Sequence, residues 1–308
     1  MAMTLVQAEK LSQDVLLKGV IEVIITESEI LKHLPFIDIV GNGLSYNQEE
    51  TLPTAQFYSV GDEWVESTPT FKKQTATLTI LGGDADVDEY LRQTRSNLQN
   101  IKAIVTELKS KAVARKFEDV FIYGDVTTDT KSFNGLHKLV ATAQQVHAGS
   151  GVTGAAGSIF KLRQLCNLVL PGRPDFLIMK RNTRDRLAQY AERNESPIRF
   201  APSEFGMLIP YFSSIPILVT DWIVQTESIS GDAYSGKTGG TATTIFACKF
   251  GERLLAGCQN GGINIRDLGD LETKDATRTR VKWYVSLALF NTLALARYDG
   301  ITDAAWNA

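Results

Sequence analysis

The chain is poor in the residues that ordinarily mark a metalloprotein or a disulfide-stapled fold. Cysteine occurs three times and histidine three times in 308 residues. Cys166, Cys248 and Cys258 are widely spaced with no Cys-x-x-Cys pair, which excludes a disulfide framework or zinc site and suits buried thiols in a reducing compartment. His33, His137 and His147 share no metal-ligand spacing, and no cysteine stands near any of them. A basic excess is also missing. The 32 Lys and Arg face 35 Asp and Glu for a net charge of -3, which leaves no chain-wide field to draw in nucleic acid. Local basic runs (Lys109, Lys111, Arg115, Lys116; Lys180, Arg181, Arg184, Arg186) are interleaved with acidic or apolar residues and read as solvated helix faces. No apolar run approaches membrane-spanning length, and the opening MAMTLVQAEK lacks the basic-then-apolar order of an export signal. The chain is therefore expected to be made and used in solution. No G-x-S-x-G nucleophile elbow occurs.

What is present is an ordinary globular composition, 44% apolar and 22% charged, with material for one large domain or two modest ones. The leading pattern is a long helix expected over 86–117. Val87, Leu91, Thr94, Leu98, Ile101, Val105, Leu108 and Ala112 recur at helical spacing without Pro or Gly. Asp86 is placed to cap it, with Glu89 three residues on, and a length of roughly 45–50 Å follows from a rise of ~1.5 Å per residue. Ile104 widens the apolar face and the flanking charges carry no alternating code, so a strut packed on its own chain is favoured over a coiled coil.

Around this strut the pattern is β-rich. Residues 4–33 read as an amphipathic helix stopped by Pro35, with a strand at 36–40. Residues 45–82 read as a long two-stranded excursion. One arm carries Ala55, Phe57 and Ser59, the other is FKKQTATLTIL, and the tip between them holds Trp64 and Val65. Such a hairpin is marginal alone and needs a surface to lie on. Helices are expected from Ser158 and from Asn182, and strands at 176–179, 216–220, 243–250, 253–257 and 262–266. One long β pattern closes the chain over 279–298, and Gly149–Gly157 reads as a flexible connector.

Two motifs invite a nucleotide reading. Gly231 to Thr238 (GDAYSGKT) satisfies G-x-x-x-x-G-K-[ST], but that chemistry needs a helix immediately after the loop to aim its amides at phosphate. Here Gly239, Gly240 and the β-patterned TATTIFACKF follow. Gly149, Gly151 and Gly154 match G-x-G-x-x-G without a convincing strand before them or an acid at the right strand end. The acidic Asp84, Asp86 and Asp88 are accounted for by a helix start. No catalytic constellation, cofactor site or metal site is expected, so the chain is not read as an enzyme.

The order of parts resembles that of the major capsid proteins of tailed double-stranded DNA phages, which share the HK-type capsid fold, an α+β architecture. The stretches LSQDVLLKGVIEVIITES, LPFIDIVGNGLSYNQEE, TLTILGGDADVDEYL and KAVARKFEDVFIYGD are similar to the corresponding parts of those proteins. The resemblance implies an N-terminal arm over 1–44, an extended loop over 45–82, a peripheral domain over 83–135 and 275–308, and an axial domain over 136–274. It implies subunits that assemble as pentamers and hexamers into an icosahedral virion shell in the host cytoplasm, around double-stranded DNA held without sequence specificity. Portal, scaffolding and decoration proteins are the implied partners, and no membrane. Because the chain begins at the arm, scaffolding is expected to come from a separate protein or to be dispensable. Contacts between subunits are assigned to Phe57, Tyr58, Trp64 and Val65 of the loop and to Leu11, Val15, Leu16 and Val20 of the arm. Gly231, Gly236, Lys237 and Gly239 are assigned to a flexible axial tip. Lys72 and Lys73 lie on the loop, but no partner for a crosslink is identified. An encapsulin-type shell that packages cargo enzymes is the alternative, and a P-loop nucleotide hydrolase a remote one.

Overall fold

The computed structural model describes residue 24 and residues 28–307, except for 52, 91–100, 150–153, 195–197, 203–207 and 232. Two sheets organise it. The first has four strands in the order β1-β14-β15-β4: β1 (Phe36–Asp38), β4 (Thr79–Asp88), β14 (Leu255–Leu271) and β15 (Lys274–Leu289). The second has seven strands on its main path, β5-β16-β13-β7-β10-β9-β8. These are β5 (Gln145–His147), β7 (Phe176–Met179), β8 (Ile198–Pro202), β9 (Leu208–Phe212), β10 (Ile215–Val219), β13 (Ala242–Cys248) and β16 (Leu295–Asn307). The short strand β6 (Ala155–Ser158) joins the far side of β16. Two hairpins stand apart as separate ribbons: β2 (Gly43–Thr51) with β3 (Thr70–Thr77), and β11 (Ser228–Ser230) with β12 (Ala233–Gly236).

The helices are α1 (Glu29–His33), α2 (Ile101–Tyr123), α3 (Leu136–Leu139), α4 (Ile159–Leu168) and α5 (Arg181–Asn194). The larger core lies where α2 meets the four-stranded sheet, with Phe36, Phe117, Phe121 and Trp283 all fully buried. The Trp283 ring stands 5.3 Å from Phe36 and 5.0 Å from Phe117, and its indole N–H donates to Gln259 Oε1 at 3.2 Å. A second core fills the other sheet around Leu162, Leu165, Leu177, Met179 and Tyr298.

The mixture of helix and strand is α+β, as the resemblance implies, but several expected elements move. The strut does not begin at Asp86. Residues 79–88 form a strand, and Asp84 and Asp86 face Arg280 and Arg278 in register across β15. Each pair is bidentate, Arg280 donating to Asp84 at 2.7 and 2.8 Å and Arg278 to Asp86 at 2.7 Å twice. These cross-strand partners, not a helix dipole, account for the acids, and they hold both carboxyls below the usual range. At its other end α2 runs past Phe117 to Tyr123 and stops at Gly124. A side chain on Gly124 would strike the Phe133 carbonyl oxygen at 2.2 Å.

The buried face of the strut is also rotated from the expected one. Leu108 is 59% exposed and Ala112 is exposed, whereas Thr106, Ser110, Val113, Ala114, Phe117 and Phe121 are buried. Thr106 and Ser110 each donate to the carbonyl four residues back, Lys102 O and Thr106 O, at 2.8 Å. That internal bond lets a hydroxyl occupy a buried helix face without a foreign partner, and it hides the true stripe from an apolar count.

Elsewhere, the expected helix over 4–33 is described only at residue 24 and from residue 28 on, and Ser28 is not helical. Ser28 is extended, caps α1 by accepting from Leu31 N, and starts a separate short helix. Ala55, Phe57 and Ser59 lie in an irregular tip, not a strand, because β2 ends at Thr51. The expected strands at 253–257 and 262–266 are one strand, β14, kinked where its pairing shifts between Gln259 and Ile263. The closing β pattern over 279–298 is cut by a 3₁₀ turn at Thr292–Ala294. Its halves enter different sheets, β15 the four-stranded one and β16 the other. Residues 255–289 thus belong to the sheet that carries β4, and 295–307 to the other. Within the expected connector at 149–157, Ala155–Ser158 is strand β6. Gly157 is required there, since a Cβ would sit 2.4 Å from the Trp306 ring. Asn182 lies inside α5, one residue after its start, and donates to Gln225 at 3.1 Å. Strands β7, β10 and β13 and helix α4 lie where periodicity places them.

Candidate assembly surfaces

The β2–β3 ribbon is anchored at one end only. Its root packs on the strut's sheet: the Tyr46 ring lies 4.7 Å from Phe290, and buried Gln48 donates to Leu289 O at 3.1 Å. Ile39 and Ala76 are buried beside Cys258. Beyond the root, apolar burial stops. Phe57 and Val60 are over 100% exposed and Trp64 is 79% exposed, with Val65 and Phe71 also exposed. Yet the tip has local order. Tyr58 and Trp64 stack with ring centroids 4.3 Å apart, and the Tyr58 hydroxyl accepts from Val65 N at 3.2 Å. Asp62 accepts from Ser59 N at 2.6 Å and Ser67 from Thr54 N at 2.9 Å. A shaped loop that presents unburied aromatics is what a partner surface recognises.

Of the expected loop residues, Phe57, Trp64 and Val65 are thus exposed at the tip, while Tyr58 is half-buried under Trp64. Val60 is the contact candidate that sequence reasoning missed, for an isolated valine in a polar tip carries no periodic signal. The arm residues Leu11, Val15, Leu16 and Val20 lie outside the described residues. The root of that segment belongs to the subunit's own interior, since Ile24, Ile30, Leu31 and Leu34 are fully buried in the core under α2.

The glycine-rich loop differs from the expected free tip. The β11–β12 hairpin folds back on the C-terminal end of α2, and Lys237 pairs with Asp119 while lying 5.0 Å over the Tyr123 ring. No helix follows Thr238; after a bend β13 begins at Ala242. Gly231 and Gly239 are turn residues with φ of +56° and +101° and nothing near their missing side chains. Gly236 lies in β12.

Beneath this hairpin lies a buried polar cluster. Glu227 receives hydrogen bonds from the Tyr123 hydroxyl at 2.5 Å and from Thr244. Buried His137 is sandwiched between tyrosines, its ring 3.7 Å from Tyr234 and 5.1 Å from Tyr123. Arg297 Nη1 lies 3.3 Å from His137 Nδ1. A guanidinium only donates, so Nδ1 accepts and the ring proton is on Nε2, which faces Glu227 at 3.4 Å without closing a hydrogen bond. Burial lowers the His137 pKa, favouring the neutral ring, and also lowers that of Arg297. Asp299 binds Arg297 Nε at 3.0 Å, His147 Nδ1 at 2.5 Å and the backbone N–H of Tyr234 at 3.1 Å. Burial pushes up the tyrosine hydroxyls of Tyr123 and Tyr234. The cluster ties α2, α3, the β11–β12 hairpin and β16 together. A cavity of about 640 Å³ adjoins it between α2 and the hairpin, where Lys138 pairs with Asp125 and Lys237 with Asp119. Among the described residues no group of three metal-ligating side chains converges, and no helix is long and apolar enough to cross a membrane. Cys166, Cys248 and Cys258 are free thiols, each pushed above its ordinary pKa by burial.

The whole arrangement of ribbon, strut helix and two sheets superposes on chains of solved shell structures. A chain of the holo-SrpI encapsulin complex from Synechococcus elongatus superposes with a TM-score of 0.70 at 18% identity, over 100% of this chain and 99% of that one. This chain has the HK-type capsid fold. A chain of a solved structure from Microbacterium phage Oxtober96 gives a TM-score of 0.62 at 14% identity, covering 89% and 90% of the two chains. The capsid of the native GTA particle gives 0.61 at 13% identity, covering 87% and 88%. No family model matches the sequence, and no curated protein sequence does. Identities this low are consistent with a fold held by core pattern and topology, not by invariant residues.

Proposed function

We propose that the chain is a structural, non-enzymatic shell subunit that self-assembles through its β2–β3 ribbon into a closed container with five- and six-fold clusters. The observation that carries this reading is a locally ordered loop whose Phe57 and Val60 are fully exposed and whose Trp64, stacked on Tyr58 of the same loop, is still 79% exposed. Burying an apolar side chain contributes about 1.5–3 kcal/mol, and a closed shell repeats that contact at every subunit. The arm residues Leu11, Val15, Leu16 and Val20 supply a second apolar contact to a neighbour or a scaffold. In the vocabulary of the fold, the strut with 255–289 forms the peripheral part, and the second sheet the axial part.

The sequence resemblance makes the contents double-stranded DNA and the compartment a virion, with portal and scaffolding proteins as partners. A second reading, a nanocompartment around protein cargo, is favoured by the end-to-end superposition on an encapsulin chain. Electron microscopy of the protein expressed alone tests the shared claim: closed, uniform shells are expected, and a monodisperse monomer at high concentration would overturn it. Nuclease treatment of particles from the native source then separates the readings. Protected double-stranded DNA marks a capsid, and a co-purifying enzyme without DNA marks a nanocompartment.

A further inference from the structure

Glu118 is a buried carboxylate that neither the ribbon nor the polar cluster uses. It projects from α2 into the junction between the root of the N-terminal segment and the end of β10. From the first side Ser28 donates its hydroxyl to Oε1 while accepting from Leu31 N at 3.3 Å. From the second, Thr220 donates to Oε2 at 3.4 Å and itself accepts from Trp222 N at 3.2 Å. One side chain thus joins the α1 cap to the strut and to β10.

The charged groups around it make an ionised Glu118 poorly held. Glu29 on α1 and Asp221 after β10 both repel it. Arg181 of α5 is engaged with Asp221 at 3.3 Å, and Arg115 of α2 lies over the Trp222 ring. No basic group pairs with Glu118 among the described residues, so two hydroxyls are its polar partners. A desolvated carboxylate without a cation favours its neutral form or an opening that lets water in.

We propose that Glu118 is a proton-responsive anchor: in its neutral form it holds the root of the N-terminal segment against α2, and when ionised it releases Ser28 and α1. Proton loss and gain at this one carboxyl is the whole step, and both hydroxyl partners can donate or accept. Burial raises its pKa from the ordinary 4.5 to about 7. A group so raised stabilises the docked form fully below the lower value, and that contribution is lost as pH rises through the higher one. The docked-to-released ratio should therefore fall by up to about a hundredfold between roughly pH 4.5 and 7.5. The inference stands on contacts within one subunit and does not depend on the shell reading.

The test is hydrogen exchange at the Leu31 and Leu34 amides of the full-length protein from pH 5.0 to 8.5. Rates are corrected to protection factors, and light scattering verifies the same assembly state at each pH. Protection should fall more than tenfold across the neutral range, while the core amides of Leu177 to Met179 hold. In Glu118→Gln, which keeps both hydroxyl partners without the charge, protection should stay flat. A parallel fall in wild type and variant would overturn the proposal. If the variant does not fold, the wild-type profile decides: a flat profile, or a fall shared with the core amides, overturns it.

Discussion

Replacing Phe57 by Ala separates assembly from folding in one experiment. In the subunit the ring is 107% exposed and therefore has nothing to lose, so the thermal stability of dissociated subunits should move by no more than about 0.5 kcal/mol. The proposed assembly buries the same ring against a neighbour, where it would be worth about 1.5–3 kcal/mol. That corresponds to roughly a ten- to hundred-and-fifty-fold weaker contact, multiplied in effect because every subunit carries it. Trp64→Ala should behave differently in degree. It removes contact area and also the stack on Tyr58 at 4.3 Å, a pair worth about 0.5–1.5 kcal/mol beyond burial. The loop then loses its shape before it meets a partner and must be ordered at assembly. The readouts are unfolding temperature of dissociated subunits and the threshold concentration for shell formation by light scattering. A raised threshold with unchanged unfolding is expected for Phe57→Ala, and a higher one still for Trp64→Ala. An unchanged threshold for both would refute the reasoning, as would a threshold shift matched by an equal loss of subunit stability.

Three further outcomes follow from the interior. Tyr123→Phe strips buried Glu227 of a donor at 2.5 Å and Val224 N of its acceptor at 3.0 Å; a loss of about 1–3 kcal/mol is expected in denaturant unfolding, and a neutral result would mean water replaces the hydroxyl without cost. Gly157→Ala places a methyl 2.4 Å from the Trp306 ring; calorimetry should show destabilisation of about 1–3 kcal/mol from overpacking, with Trp306 fluorescence shifted. Lys237→Ala should leave phosphate release from nucleoside triphosphates at the background of the unaltered protein, while exchange at the Tyr234 amide accelerates as the Asp119 pairing is lost; a clear drop in turnover would restore the P-loop reading.

The resemblance in part order, rather than any one motif, carried the fold, and local pattern placed the second sheet's central elements. The apolar stretches at 176–179 and 243–250 and the helix after Ser158 sit near where periodicity put them, because a buried strand or an amphipathic helix writes its environment into its own residues. The rotated face of the strut was invisible for the opposite reason: Thr106 and Ser110 are satisfied by their own helix, so polarity there says nothing of burial. Ser28 before Glu-Ile-Leu is a local N-cap signal that an apolar count over 4–33 does not register.

From the sequence alone came a two-stranded ribbon with an aromatic tip, though its strands are 43–51 and 70–77, and the failure of the GKT motif to be followed by a helix, since each rests on neighbours along the chain. Tertiary structure decided what depends on residues far apart. Asp84 and Asp86 are strand acids only because Arg280 and Arg278 arrive almost two hundred positions later, at separations of 196 and 192 residues. The halves of 279–298 part company only because each finds a different sheet. Lys237 is held, not free, because Asp119 lies beneath it. Glu118 and Ser28, 90 residues apart, form one anchor because packing, which no local pattern encodes, removes both from water together.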